Sequence, residues 1–271
     1  MINILYAVLS LGVLGGAFGL VLAFAAKKFA VEVDERQAAI EECLPGANCG
    51  GCGYAGCAAY ASAVVSAGAP INVCVPGGNE TAAQVASIMG VEAQETERCV
   101  ALVKCSGTTG HMIKRFEYSG ISDCFSAMRL GGGNGANGCK YGCLGFGSCV
   151  KTCPFGAIYL EDGIAHVDHE KCTGCMTCAK TCPKGIIIKV PYEADVTVAC
   201  SSKDKGSVLR KYCDLGCLGC SICEKLCEYD AIHVEDGRAV IDYSKCKSCG
   251  QCAPKCPRKL IRDARLNTEN E

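Results

Sequence analysis

Eight cysteines of this chain recur at a single offset. Cys139, Cys143, Cys149, Cys153, Cys172, Cys175, Cys178 and Cys182 return 74 residues later as Cys213, Cys217, Cys223, Cys227, Cys246, Cys249, Cys252 and Cys256. That many coincidences at one spacing identify a duplicated unit. Each copy is too short to enclose a self-sufficient apolar core, and the whole chain of 271 residues has 26 cysteines but only 7 Phe, 10 Tyr and no Trp. Something other than side-chain packing must hold it together. Between the cysteine groups, AIYLEDGIAHVDHEKC and AIHVEDGRAVIDYSKC alternate apolar and polar residues around Asp162-Gly163 and Asp236-Gly237, which predicts one β-hairpin with a tight turn in each copy.

The spacing within each copy specifies the chemistry. Cys172-x2-Cys175-x2-Cys178-x3-Cys182-Pro183 and Cys246-x2-Cys249-x2-Cys252-x3-Cys256-Pro257 are bacterial ferredoxin runs, in which three closely spaced thiolates hold one [4Fe-4S] cubane and the fourth ligates its neighbour. In the second copy this assigns Cys217, Cys220, Cys223 and Cys256 to one cluster, and Cys227, Cys246, Cys249 and Cys252 to the other. The first copy departs from the pattern, because Phe146 stands where Cys220 stands in the second. Cys139 is the nearest substitute, giving Cys139, Cys143, Cys149 and Cys182 beside Cys153, Cys172, Cys175 and Cys178; the alternative is a three-iron cluster with Cys139 idle. Glu228 replaces the proline expected after Cys227. Zinc would use CxxC pairs too, but not the triplet with its trailing Cys-Pro.

Upstream, Cys49-x2-Cys52-x4-Cys57-x16-Cys74 is a different arrangement, with Gly50, Gly51 and Gly53 letting a tight loop wrap a cubane. An Ala-rich helix is predicted over Ala58 to Ala67, a turn at Gly68 to Pro70, and a helix opened by a Thr81/Gln84 capping box and running towards Met89. Five clusters use twenty cysteines and leave Cys43, Cys99, Cys105, Cys124, Cys200 and Cys213. VALVKCSG around Cys105 resembles VTVACSS around Cys200, so Cys105, Cys124, Cys200 and Cys213 are the candidate set for a sixth cluster, the alternative being buried free thiols. Gly133 to Gly138 reads literally GxGxxG, but no strand precedes it and Cys139 follows where a helix should open; it is expected to be a flexible loop and not a nucleotide site. His111, His166, His169 and His233 show no ligand or catalytic spacing, and His166 and His233 are expected at the surface.

Ile4 to Ala26 carries no charge over 23 residues; as a helix it would reach roughly 34 Å at 1.5 Å per residue, enough to cross a bilayer. Lys27 and Lys28 follow it directly, which by the positive-inside rule places the remainder in the cytoplasm, where thiols stay reduced. A cleaved signal peptide is the alternative, but no basic residue precedes the run. Gly12, Gly15, Gly16 and Gly19 form overlapping GxxxG patterns, read either as a helix contact or as a Gly-rich anchor. The span has no ionisable group and so no ion path of its own. Residues 31 to 42 read as a short acidic linker or helix. A net charge of -1 argues against nucleic acid. Seven basic residues between Lys245 and Arg265 against Asp263 alone form either a solvated face or a dock for an acidic partner.

The uncharged N-terminal helix, the stretch LPGANCGGCGYAGC with its trailing Cys74, and the ferredoxin repeats together resemble the B subunit of the Rnf complex. The resemblance implies an iron-sulfur electron-transfer subunit of a membrane-bound complex that exchanges electrons between ferredoxin and NAD, coupled to sodium or proton transport. Its partners would be flavin- and NAD-binding subunits, multi-span membrane subunits and soluble ferredoxin. A membrane polyferredoxin serving another redox enzyme and a zinc scaffold are the rival readings. The expected class is α+β, built of small iron-sulfur domains: a single-pass anchor over 1–28 in the cell membrane, a Cys-rich 4Fe-4S module over 29–90, a linking segment over 91–138, and two tandem bacterial-type 2[4Fe-4S] ferredoxin units over 139–190 and 191–271. Five [4Fe-4S] clusters are expected, with the candidate sixth, and no catalytic residue.

Overall fold

A computed structural model describes residues 2–28 and 34–267; residues 31–33 of the expected linker lie outside them. Helix α1 (Ile2–Lys28) has no acidic residue in its first turn and both lysines in its last. The four glycines of its GxxxG patterns meet no atom within 4 Å. With a mean hydropathy of 2.1 over Leu9–Lys28, it is the one helix among the described residues long and apolar enough to cross a membrane.

The cysteine module is a three-helix platform. Asp34 caps α2 (Glu35–Cys43) by accepting the Arg36 N–H, which satisfies one of the free donors of the first turn. Asn48 Oδ1 accepts the Cys57 N–H at 2.8 Å where α3 (Cys57–Ala67) begins, and Gly68 closes that helix in the left-handed conformation. The third helix, α4 (Gly78–Met89), starts three residues before the expected capping box. Thr81 therefore lies inside it, buried against Gly77, because the turn at Cys74 to Gly77 runs straight into helix through the Gly78 N–H to Cys74 carbonyl bond. Ile40, Leu44, Tyr60, Val64 and Val85 fill the space between the helices, and Tyr60 donates its hydroxyl to the Pro70 carbonyl at 2.8 Å.

The two ferredoxin units follow, and the first begins earlier than the cysteine repeat suggests. Strand β1 (Cys99–Val103) comes from the supposed linking segment, as does α5 (Cys124–Arg129); then come α6 (Ser148–Thr152), β2 (Ile158–Glu161), β3 (Ile164–Val167), α7 (Thr177–Thr181) and β4 (Ile187–Pro191). Strand β1 pairs antiparallel with β4, Val100 opposite Val190. The second unit has β5 (Val196–Val198), α8 (Gly206–Leu209), α9 (Ile222–Leu226), β6 (Ile232–Glu235), β7 (Arg238–Ile241), β8 (Ile261–Asp263) and α10 (Ala264–Asn267), with β5 paired to β8. Residues 99–138 are thus part of the first unit, since β1 supplies the strand that β5 supplies in the second.

Both expected hairpins form, β2 with β3 and β6 with β7, and their turns hold Asp162-Gly163 and Asp236-Gly237 at positive φ, as a two-residue hairpin turn of this hand requires. Where the first unit uses Gly147, Gly174 and Gly185 at positive φ, the second holds Ser221, Ser248 and Lys259 there too. The backbone path is therefore set by the cysteine loops and not by glycine alone. The core of each unit is a thin layer of Val and Ile interleaved with cysteine: Val100, Ile158, Ile164, Ile187 and Val190 with Cys143, Cys149, Cys172 and Cys178 in the first, and Val196, Val198, Ile232, Leu260 and Ile261 with Cys217 and Cys223 in the second.

Gly145 packs beneath the hairpin turn, where a Cβ would collide with the Gly163 carbonyl, at φ 78°. Gly156 has φ 59° but open space around it. Gly145→Ala is expected to destabilise the iron-loaded protein by about 1–3 kcal/mol and Gly156→Ala by no more than about 1 kcal/mol, read from thermal unfolding. Deleting residues 1–28 is expected to leave a soluble protein with undiminished iron and sulfide per chain, because the apolar stretch of α1 is not buried against the rest of the molecule and the clusters supply the folding energy.

Candidate iron-sulfur sites

The cysteines are all free thiols, and all of them but Cys43 and Cys99 fall into sets of four. We label the sets along the molecule. Site A comprises Cys49, Cys52, Cys57 and Cys74, with Cys74 facing the other three. Site B comprises Cys153, Cys172, Cys175 and Cys178, with Cys178 central to the set. Site E is lined by Cys217, Cys220, Cys223 and Cys256, together with Pro257, and site F by Cys227, Cys246, Cys249 and Cys252. Cys256, the trailing cysteine of its run, thus lines site E, and Cys227 lines site F.

Two sets differ from expectation by one exchange. Cys124, and not Cys139, joins Cys143, Cys149 and Cys182 at site C. Cys139 lines the cavity of Cys105, Cys200 and Cys213 instead, forming site D. The physical reason lies in the duplication. From Cys105 to Cys139 is 34 residues and from Cys200 to Cys213 is 13, so the first unit carries 21 extra residues. They bring Cys124 back to the position Phe146 leaves without a thiol, and Phe146 packs edge-on against Tyr118 of the same insertion at 4.9 Å. Ser148 anchors the new ligand: it accepts the Cys124 N–H at 2.9 Å and donates to Asp123 Oδ1 at 2.8 Å, and Asp123 also caps α5. The second unit, whose thiol is in place at Cys220, has Ile222 at the matching position.

Site D joins the two units, each contributing two thiols: Cys105 and Cys139 from the first, Cys200 and Cys213 from the second. Hydrogen bonds close the junction, Ile113 N–H to the Tyr212 carbonyl at 2.9 Å, Asp214 N–H to the His111 carbonyl at 2.9 Å and Ser201 Oγ to the Tyr141 carbonyl at 2.9 Å. One signal of this was legible in sequence. Site E is complete without Cys213, so its counterpart Cys139 had no place in site C either.

The donors suit a cluster. Among the described residues no three His, Cys, Asp or Glu side chains converge tightly enough for a single metal ion, whereas zinc draws four sulfurs to about 2.3 Å from one centre. Backbone N–H groups aim at the sulfurs: Ala101 at Cys172 (3.4 Å), Ala157 at Cys153 (3.4 Å), Ala231 at Cys227 (3.4 Å) and Ala239 at Cys217 (3.3 Å). Such bonds stabilise negative charge on sulfur. Burial pushes the thiols of Cys105, Cys149 and Cys178 up to about 12, so in the iron-free chain they are neutral, and loading iron must release their protons.

The sites stand in file. Thr177 donates to the Cys49 carbonyl at 3.1 Å and Lys180 to the Gly50 carbonyl at 3.0 Å, docking site A on site B; a Cβ on Gly51 would stand 2.9 Å from the Cys175 carbonyl oxygen. Cys149 of site C faces Cys178 of site B. The Cys143 N–H of site C donates to Cys105 Sγ of site D at 3.3 Å, and the Cys217 N–H of site E donates to Cys200 Sγ of site D at 3.4 Å. Cys252 of site F faces Cys223 of site E.

Other expected features resolve individually. The Gly-rich loop is not loose: Arg115 donates to the Gly131 and Gly135 carbonyls at 3.2 and 2.8 Å. The basic stretch splits, because Lys245 pairs with Asp230, Arg265 with Asp263, Arg258 binds the Asp214 carbonyl and Arg262 reaches Ser106. Lys247, Lys255 and Lys259 stay exposed. His233 and His166 are both part-exposed, His233 beside Glu224 and Asp230 and His166 stacked on Tyr159 with its Nε2 buried, where burial lowers its pKa.

Cysteine exchange separates these sets. In electron paramagnetic resonance of the reduced protein, Cys124→Ser is expected to remove the same signal as Cys182→Ser, and Cys139→Ser the same signal as Cys213→Ser. Cys256→Ser should act with Cys220→Ser, not with Cys249→Ser; pairing within its own run would show local ligation.

Three family models match the chain: one for an Fe-S cluster domain over residues 44–76, a 4Fe-4S dicluster domain over 137–186 and a 4Fe-4S binding domain over 239–262. The last two carry sites B, C, E and F in part, and the chain holds 4Fe-4S clusters. Among curated proteins it is similar to the B subunit of the Na(+)-translocating ferredoxin:NAD(+) oxidoreductase complex of Acetobacterium woodii, 48% identical over 96% of this chain and 78% of that one. The B subunit of the ion-translocating oxidoreductase complex of Methanosarcina acetivorans is 44% identical over 92% of this chain and 94% of its own. The B subunit of the proton-translocating ferredoxin:NAD(+) oxidoreductase complex of Clostridium ljungdahlii is 47% identical over 92% and 89%. With identity of that order running from the anchor through both ferredoxin units, the chain belongs to the B-subunit family of Rnf-type ion-translocating oxidoreductase complexes.

Proposed function

We propose that this chain relays electrons along six [4Fe-4S] sites, A to F, as the iron-sulfur subunit of a membrane-bound complex that couples electron exchange between ferredoxin and NAD to sodium or proton translocation. The observation that carries the reading is the unbroken file of sites, in which each set touches the next through a hydrogen bond or facing thiols. When bound, each cluster accepts and gives up one electron at a potential set by its surroundings.

The protein's part is to hold and tune. Backbone N–H groups and burial favour particular charge states at each set. The hydrogen-bonded junction at site D keeps the halves of the file in contact. Lys27 and Lys28 at the end of α1 support an orientation with every cysteine site on the cytoplasmic side. The absence of ionisable groups from the span supports an ion path through other, multi-span subunits.

Electron exchange with a soluble carrier belongs at the far end. Cys220 of site E and Cys249 of site F are the two cysteines that are exposed, all others being buried or half-buried. Lys247 lines site F, Lys255 and Lys259, exposed like it, flank Cys256 of site E in the sequence, and charges of one sign on a rim act mainly on the rate of encounter with an oppositely charged partner. An acidic soluble ferredoxin fits this end.

Replacing Lys247, Lys255 and Lys259 together by Gln is expected to slow reduction by an acidic ferredoxin several-fold at low ionic strength and to flatten its salt dependence, with iron content unchanged. Stopped-flow measurement at two salt concentrations decides it. Equal rates for the variant and the parent at low salt would move the exchange surface elsewhere.

A further inference from the structure

Sites C, D and E are linked by a device that the duplication repeats. Lys184 follows Cys182-Pro183 and Arg258 follows Cys256-Pro257, at the same offset of 74 as the cysteines. Each side chain reaches back to the carbonyl of the residue after the first repeated cysteine of its copy, Cys139 or Cys213: Lys184 Nζ to Lys140 at 2.8 Å, and Arg258 Nη1 to Asp214. Those carbonyls are also one offset apart, and the cysteines before them, Cys139 and Cys213, are ligands of site D. One cation therefore ties the Cys-Pro corner of site C to site D, and its counterpart ties the Cys-Pro corner of site E to site D.

Their placement gives them a second consequence. Lys184 lines site C and faces both Cys139 and Cys182, while Arg258 lines site E and faces Cys213. Both side chains are half-buried, where charge is screened far less than at an exposed surface. All three ammonium donors of Lys184 are occupied by carbonyls, those of Gly133 and Asn134 at 3.4 Å besides Lys140, and a guanidinium keeps its charge. Site C borders one cation and site E the other; site D borders both. Lys104, which has no counterpart because Ala199 stands there, lines site D as a third, with Arg238 and Glu235 near it. The carboxylates close to site D are Asp214, which is mostly exposed, and Asp204, already bound by Lys140 and the Tyr212 hydroxyl.

We propose that Lys184 and Arg258 are a duplicated pair of potential-setting residues that hold site D above sites C and E, making the junction of the two units the resting place for an electron in the file. The inference depends on the reading of site D as a cluster. Taking up one electron adds one negative charge to a site, so a nearby fixed cation favours the reduced form. Transfer of one electron from site E to site D oxidises the first and reduces the second, with no bond made or broken and no proton moved.

The test is a redox titration, followed by electron paramagnetic resonance, of the full-length iron-loaded protein, with the site D signal assigned as the one lost in Cys213→Ser. In Lys184→Gln with Arg258→Gln, which removes both charges but keeps an amide donor on each side chain, that signal is expected to move to lower potential. The expected loss is at least tenfold in the reduced-to-oxidised ratio at a fixed poise, about 59 mV for a one-electron couple, with sites A and F unmoved. Lys184→Arg with Arg258→Lys should leave it in place. Should the Gln pair fail to hold iron at site D, each single Gln variant is expected to give a smaller shift in the same direction. A site D signal that stays put in the Gln variants, or moves as far in the charge-preserving pair, overturns the proposal. Loss of no signal and no iron in Cys213→Ser would instead overturn the reading of site D itself.

Discussion

Four thiols must face one small volume, and must do so repeatedly within units too small to fold around an apolar core. Every other feature of the structure serves that constraint. The apolar residues of each ferredoxin unit form a thin layer behind the cysteines, the strands are three to five residues long, and left-handed residues recur at the same places in both copies whether or not they are glycine. With so little side-chain packing to draw on, folding energy must come in large part from the bonds between sulfur and iron.

The constraint explains how the first copy tolerates losing a ligand. Phe146 removes a thiol from the loop, and the inserted residues return one from another direction through Cys124, held by Ser148 and Asp123. The thiol count around the cavity is preserved while the chain that supplies it changes. The same insertion provides Arg115 and the Gly-rich loop, whose carbonyls receive Lys184, so the repair of site C and the bracing of site D share one stretch of sequence.

Duplication also created a site that neither copy holds alone. Site D lies where the two units meet, with two thiols from each and an N–H···S bond to each side, from Cys143 to Cys105 and from Cys217 to Cys200. A pair of tandem ferredoxins joined by a free linker would be two separate carriers, whereas a shared site makes them one. The helical module extends the file at the other end, its Cys49 loop seated on α7 through Thr177 and Lys180.

The sequence by itself determined the duplication, both hairpins, the apolar N-terminal helix, the cysteine module and every group of cysteines that lies within one local run. A short loop that wraps a cubane has few ways to present three thiols two residues apart, so for Cys246, Cys249 and Cys252 spacing is already geometry. The tertiary structure alone decided the ligands that arrive from a distance. Cys139 is four residues from Cys143 and Cys124 is nineteen away, yet Cys124 reaches site C because α5 folds back onto Ser148, and Cys139 turns towards the second unit. Strand β1 likewise belongs to the first ferredoxin unit only through its pairing with β4, and Arg262 turns inward to Ser106 only because the second unit docks on the first. Chain separation says nothing about which thiols share a cavity once strand pairing has brought distant segments together; the ladder of backbone hydrogen bonds decides that, and a pattern of cysteines does not encode it.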